Sequence, residues 1–186
     1  MNRLFIVSGP AGAGKGTILA RVRELRPDLG LSVSCTTRQP RTGEQEGVSY
    51  YFITPEEFRS RVEAGEFLEW ANVHGNLYGT LVREVESRLE DASLILEIDP
   101  QGAMNVRKMM PEAVLVFIAP PSMETLRSRL IGRGSETPET LAVRLADAEQ
   151  EMQTAEDYDE VVVNDNLDVA VERFMEIMKR YEDSAL

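Results

Sequence analysis

The sequence predicts an α/β protein: a central parallel sheet flanked by helices, with a strand-rich insertion. Three observations predict it. Short apolar runs alternate with helical patterns along most of the chain, as in Leu4-Phe5-Ile6-Val7, Leu94-Ile95-Leu96 and Val114-Leu115-Val116-Phe117-Ile118. A glycine-rich stretch, Gly9-Pro10-Ala11-Gly12-Ala13-Gly14-Lys15-Gly16-Thr17, joins the first of these runs to the first helix. Residues 34–80 depart from the alternation and read as locally antiparallel strands, which marks them as an inserted substrate-binding unit.

Taken in order, residues 3–8 read as a buried strand because they are short and nearly all apolar. The helix after the glycine-rich stretch stops before Pro27, which removes a backbone donor. Leu31 to Thr37 alternates and is rich in Val, Ser and Thr, so it is expected to be a strand. Arg38 to Glu44 is a charged loop punctuated by Pro40 and Gly43, and Tyr50 to Ile53 a short aromatic strand. Thr54-Pro55-Glu56-Glu57 has the form of a capping box with Pro at the first helical position. It opens a helix to about Ala64, followed by a strand over Phe67 to Val73. A charged helix is expected from Leu81 to Glu90, and a strand over Leu94 to Asp99 that ends in carboxylates. Pro100 and Gly102 open a helix to Met109, and Ser122 caps another to Ile131. From Pro138, apolar Leu141, Leu145, Ala148 and Met152 follow helical spacing. Glu160 to Asn164 is the last strand, and Val171, Phe174, Met175 and Met178 form the inward face of a final helix.

Composition narrows the function. The 186 residues suit one domain, and the net charge of -12 argues against general nucleic-acid or anionic-membrane binding. Lysine occurs only at positions 15, 108 and 179, so most positive charge is arginine, the residue suited to bidentate phosphate recognition. The single Cys35 excludes an internal disulfide and fits a reducing cytoplasm. No signal peptide or membrane span is expected, because the N-terminal apolar run is short and leads straight into glycines.

A strand, a glycine-rich turn and a helix in sequence form the context of a phosphate-binding loop. Glycines let successive N–H groups curl around phosphate oxygens, and the following helix aims its positive end at the same anion. Lys15 adds a point charge for the outer phosphates. The residue after the lysine is Gly16 rather than the usual Ser or Thr, with Thr17 one place later. In open parallel sheets ligands bind beyond the carboxyl ends of strands, where the loop, Ser34 to Arg41, Glu97 and Asp99 are all expected. A strand-end carboxylate beside such a loop suits Mg²⁺ held through water, and it also suits a cap on the next helix. Arg38 and Arg41, with Tyr50 and Tyr78, form a set able to grip a second phosphate.

Six ordered blocks then stand at family-like spacing: Ser34-Cys35-Thr36-Thr37-Arg38-Gln39-Pro40-Arg41-Thr42-Gly43-Glu44 followed by Gly47 and Tyr50; Glu66-Phe67-Leu68-Glu69-Trp70; Asn76-Leu77-Tyr78-Gly79-Thr80; Glu97-Ile98-Asp99-Pro100-Gln101-Gly102; Gly132-Arg133-Gly134; and Val163-Asn164-Asp165. Over essentially its whole length the chain resembles the guanylate kinases, a family of P-loop nucleoside-monophosphate kinases. The resemblance implies a single domain over 1–186, with a core of 1–33, 81–121 and 154–186, a GMP-binding subdomain at 34–80 and a helical lid at 122–153. It implies Mg²⁺-dependent, reversible transfer of the ATP γ-phosphate to GMP, giving ADP and GDP. ATP would lie on Gly9, Pro10, Ala11, Gly12, Ala13, Gly14, Lys15, Gly16 and Thr17, with Arg133 and Asn164. GMP would be held by Ser34, Arg38, Arg41, Tyr50, Glu69, Tyr78, Thr80, Glu97 and Asp99, with guanine on Glu69, Ser34 and Asp99 and the phosphate on Arg38, Arg41, Tyr50 and Tyr78. Lys15, Arg38, Arg41, Arg133 and Arg144 would carry the catalytic charge, and Arg129 matches a further lid arginine. Mg²⁺ is expected on phosphate oxygens and water, with Thr17, Glu97 and Asp99 reaching it only through water. Glu97 stands where many members have Asp. Two other readings are a guanylate kinase-like module without catalysis and a sister kinase of a ribose bisphosphate. Lys15 and the arginines speak against the first, and the Ser34, Glu69 and Asp99 set against the second.

Overall fold

A computed structural model describes residues 1–73, 75–132 and 137–184. Its strands are β1 (Leu4–Ser8), β2 (Cys35–Thr36), β3 (Tyr51–Phe52), β4 (Phe67–Val73), β5 (Asn76–Leu81), β6 (Leu94–Glu97), β7 (Val114–Ala119) and β8 (Glu160–Val163). Its helices are α1 (Lys15–Leu25), α2 (Pro55–Glu63), α3 (Val82–Asp91), α4 (Pro100–Met109), α5 (Met123–Gly132), α6 (Pro138–Gln153) and α7 (Leu167–Asp183), with a 3₁₀ turn at Thr154–Asp157. They build a four-stranded parallel sheet in the order β6-β1-β7-β8 and a second four-stranded sheet in the order β3-β2-β5-β4.

The apolar runs form strands of the parallel sheet because both of its faces are covered. Successive side chains point to opposite faces, so each wholly apolar strand serves two cores. Phe5 and Val7 join Val116 and Ile118 beneath α1 and α7, where Ile18, Leu19, Val22 and Phe174 are fully buried. Leu4 and Ile6 join Leu94, Leu115 and Phe117 beneath α3 and α4, with Val85, Ala103 and Val106. Cys35, Phe58, Phe67 and Leu81 form a third cluster between the second sheet and α2, where the Phe58 and Phe67 rings stack at 4.3 Å. Leu126, Leu130 and Ala148 join α5 to α6, with Leu141 and Leu145 against them.

Side-chain caps set several helix starts. Thr54 accepts from the Glu57 N–H at 3.1 Å and Ser122 from the Thr125 N–H at 3.1 Å. The Glu57 carboxylate pairs with Arg61 instead of returning to Thr54, so only half of the expected capping box forms. Thr137 and Thr140 form a reciprocal capping box at the start of α6.

The structure departs from or adds to the sequence reading at three points. The strand over Leu31 to Thr37 does not form as one element of the parallel sheet. Gly30 makes a single parallel bridge to Leu94, Leu31 is exposed, and the chain then crosses over to enter the second sheet as β2. The ladder stops because the Val33 N–H goes to the Glu84 carboxylate rather than to a strand. The second sheet is antiparallel only locally: β2 pairs antiparallel with β5 but parallel with β3, which the long 37–50 connection permits. Finally, Asn76–Leu81, to which the sequence assigns no element of its own, is a strand paired antiparallel with β4. Gly79 disguises it, and glycine is required there. A Cβ on Gly79 would lie 2.8 Å from the Phe67 ring and 2.9 Å from the Glu69 carbonyl, beside the register shift between Phe67 and Glu69. His74 lies outside the described residues, as does Arg133 with the middle of its loop.

Candidate active site

The glycine-rich loop runs from the C-terminal end of β1 into the N-terminus of α1. Gly14 takes the N-cap position at φ 94° and offers no side-chain acceptor, so the first turn of α1 is left to an incoming anion. Lys15 folds back over the loop, its Nζ donating to the Gly9 and Pro10 carbonyls. The loop is braced from β8. Buried Asn164 donates from Nδ2 to the Ala13 carbonyl at 2.7 Å, and Arg129 donates from Nη2 to the Asn164 carbonyl at 2.8 Å. A Cβ on Gly14 would fall 2.3 Å from Asn164 Nδ2, so glycine is needed there twice, for its positive φ and for this approach. Thus Asn164 meets the loop backbone itself. Arg129, a matched lid arginine, joins it through α5.

A second polar constellation lies on the smaller sheet. Thr80 Oγ1 donates to Glu69 Oε1 at 2.7 Å, and Ser34 Oγ lies 3.2 Å from Thr80 Oγ1. The antiparallel register sets Glu69 opposite Thr80, which brings these groups together. Burial pushes the Glu69 carboxyl up from the ordinary glutamate range. The Thr80 hydrogen bond opposes that, and the charge of Asp99 adds to it. Glu69 and Asp99 line one cavity of about 550 Å³ together with Leu68, Gln101 and Asn105. Asp99 also caps α4, accepting from the Gly102 N–H at 2.7 Å. The strand expected to reach Asp99 therefore ends at Glu97, because Asp99 belongs to the helix. Glu97 is exposed and stands in register with Val7, two residues before the loop.

The basic part of the smaller sheet converges around one guanidinium. Arg38 donates from Nε to Tyr78 Oη at 3.2 Å, lies 5.6 Å above the Tyr50 ring, and pairs through Nη2 with Glu44 at 2.7 Å. Tyr50 meets Tyr78 edge-to-face at 5.9 Å. The Glu44 carboxylate also accepts from the Arg41 N–H at 2.7 Å, tying the loop ends together. Hydrogen bonding to Arg38 holds Glu44 below the usual carboxylate range. The sequence reading gave Glu44 no role. Its signal was the spacing Arg38, Arg41, Glu44, a loop whose two arginines need a local counter-charge. Arg41 itself is exposed.

Of the remaining candidates, Arg144 is exposed on α6, next to Leu145, which packs toward α5. Thr17 and Gly16 are exposed on the first turn of α1. Cys35 is fully buried in the third cluster, and burial pushes its thiol up to about 11, so it is a packed side chain and not a reactive one. Among the described residues no group of three or more His, Cys, Asp or Glu could hold a metal ion, and no helix is long and apolar enough to cross a membrane.

The chain as a whole is similar to known proteins. The family model described as "Guanylate kinase" matches residues 1–181. The chain is 48% identical over 185 residues to a guanylate kinase of Salinibacter ruber, covering 98% of each chain. It is 52% identical over 171 residues to one of Symbiobacterium thermophilum, covering 90% of this chain and 80% of that one. A crystal structure of guanylate kinase from Anaplasma phagocytophilum superposes with a TM-score of 0.71 at 34% identity, over 99% of this chain and 88% of that one.

Proposed function

The chain belongs to the guanylate kinase family and has that family's activity, and from this premise we propose how its own residues divide the reaction ATP + GMP ⇌ ADP + GDP. ATP phosphates are taken by Gly9 to Thr17, with Lys15 swinging from the Gly9 and Pro10 carbonyls to the outer phosphates. Asn164 serves this end by bracing the loop at Ala13. Residues 34–80 act as the GMP-binding subdomain, residues 122–153 as the lid, and the remainder as the core.

The single observation that carries the acceptor assignment is the Ser34–Thr80–Glu69 hydrogen-bonded chain beside Asp99. Guanine presents N1–H and a 2-amino group, two parallel donors that one carboxylate accepts together. Adenine has neither, and would leave the buried Glu69 carboxylate with Thr80 as its one donor among the described residues. Arg38, Arg41, Tyr50 and Tyr78 take the GMP phosphate, with Arg38 exchanging Glu44 for it. Glu97 supports the phosphate side from the end of β6.

The residues at the loop fit a metal carried by the nucleotide. Thr17, Glu97 and Asp99 are exposed, hard oxygen donors that would hold Mg²⁺ through water, while Gly16 offers no hydroxyl. Mg²⁺, when bound, neutralises phosphate charge. An oxygen of the GMP phosphate attacks the γ-phosphorus of ATP in line, the bond to the ADP oxygen breaks, and no covalent enzyme intermediate forms. Lys15, Arg38, Arg41, Arg133 and Arg144 stabilise the transferring charge, with the lid excluding water. Measuring ADP release across a nucleotide panel tests this: GMP is expected to be the preferred acceptor, and equal or better turnover of AMP would sink the assignment.

A further inference from the structure

We infer that Glu84 is a positioning residue that sets where the acceptor half-site stands relative to the phosphate loop. The inference rests on the reading of the smaller sheet as that half-site. Glu84 lies in the first turn of α3, a helix of the main core, yet its carboxylate serves the other unit. It accepts from the Val33 N–H at 3.3 Å and from Tyr51 Oη at 3.2 Å. Val33 precedes Ser34 at the crossing into the smaller sheet, and Tyr51 lies on β3 next to Tyr50. Arg88, one turn along α3, donates to the same carboxylate at 3.0 Å and fixes its rotamer, and the Glu84 side chain is only 12% exposed.

The placement matters because the smaller sheet joins the core covalently at only two points, around residues 33 and 82, both beside Glu84. Between β3 and α3 lies a crevice of about 500 Å³, lined by Glu46, Tyr51 and Ile53 on one side and Arg83, Glu84 and Ser87 on the other. Leu68 holds the β4 edge of the sheet in the main core, the crevice leaves the opposite β3 edge without such packing, and the Tyr51–Glu84 bond spans it. Burial and the Glu84 charge both hold the Tyr51 hydroxyl in its protonated, donating form. Ser34, Arg38, Tyr50, Glu69, Tyr78 and Thr80 all move with the smaller sheet. Loosening the tie therefore leaves most contacts to GMP intact and broadens the angle at which its phosphate meets ATP. In-line transfer depends steeply on that angle.

The test uses Tyr51→Phe, which keeps the ring in its cluster, alongside Glu84→Gln and Glu84→Ala. The expected result is a fall in kcat of about tenfold for Tyr51→Phe, the scale of one hydrogen bond to a charged group. Calorimetric Kd values for GMP and for an unreactive ATP analogue should stay within about threefold of wild type. Glu84→Gln, which keeps an acceptor oxygen, should fall between wild type and Glu84→Ala. Unchanged kcat with only a lowered Tm would make Glu84 a purely structural residue and overturn the inference. Loss confined to GMP affinity would overturn it too. If the wild-type protein itself does not phosphorylate GMP, the functional reading fails instead, which keeps the two failures apart.

Discussion

Glu69 shows how one residue can carry two opposed pH dependences. Burial raises its pKa, so charging it works against folding. Its contribution to the stability of the free protein is full at low pH and is lost as pH rises through the raised value. The proposed guanine recognition needs the carboxylate form and runs the other way. The kcat/KM for GMP should therefore fall on acidification from a pH above the ordinary glutamate range, while ATP affinity stays flat. Glu69→Gln should abolish that limb and cut kcat/KM for GMP by about 10²–10⁴-fold, from two charge-assisted hydrogen bonds of about 1.5–3 kcal/mol each. ATP binding should change by less than about twofold, and unchanged GMP kinetics would refute the role of Glu69. Glu44 teaches a related lesson. In the free protein it occupies the guanidinium that the substrate phosphate would use, which keeps Arg38 ordered and pointing into the site.

At the scale of elements, one rule explains the parallel sheet and another explains its seam. Wholly apolar strands form where helices cover both faces, and α7 is the clearest case, with Phe174, Ile177 and Met178 fully buried against the sheet. Phe174→Ala should cost about 3–5 kcal/mol in denaturant unfolding, the range for deleting a buried aromatic ring. Removing the Thr54 cap on α2 with Thr54→Ala should cost only about 1 kcal/mol. A Phe174→Ala loss as small as the cap's would mean that this face of the sheet is not close-packed. The seam between the sheets obeys neither period. The chain from Gly30 to Cys35 passes from one sheet to the other, and its Gly30 and Val33 N–H groups are met by the Ser93 carbonyl and the Glu84 carboxylate. Local alternation reads such a segment as one strand, because it does not register where the hydrogen-bond partners change.

Across the whole molecule, the proposed donor loop is fixed to the core while the proposed acceptor residues ride on a second sheet, joined through β4, α3 and the Glu84 contacts. Leu68 of β4 belongs to the main core cluster, so the two units share packing as well as chain. A ligand that engages both halves should stabilise the fold more than either nucleotide alone. At a concentration one hundred times its Kd, any single ligand adds about 2.7 kcal/mol. An adenosine and guanosine pair linked through phosphates should reach that stabilisation at much lower concentration than ATP or GMP, read as the rise in Tm along a titration. Equal titration curves for the linked compound and for ATP would show that the two half-sites are not engaged together.

Much of this was legible in the order of residues. The glycine-rich loop, the parallel core and the Thr54 and Ser122 caps follow from local rules of apolar runs, turn glycines and capping hydroxyls, whereas the candidate acceptor residues come from the family resemblance. Those rules act over a few residues, so one sequence states them directly. Tertiary structure alone decided what depends on partners far along the chain. It ended the Leu31 to Thr37 strand by drawing the Val33 N–H to Glu84, and it made a strand of Asn76–Leu81 around a glycine that β4 requires. It also pinned the loop with Asn164 and raised the Glu69 pKa by enclosing it opposite Asp99. Hydrogen-bond satisfaction and desolvation are set by whichever groups the fold brings within reach, and residue order does not encode those distances.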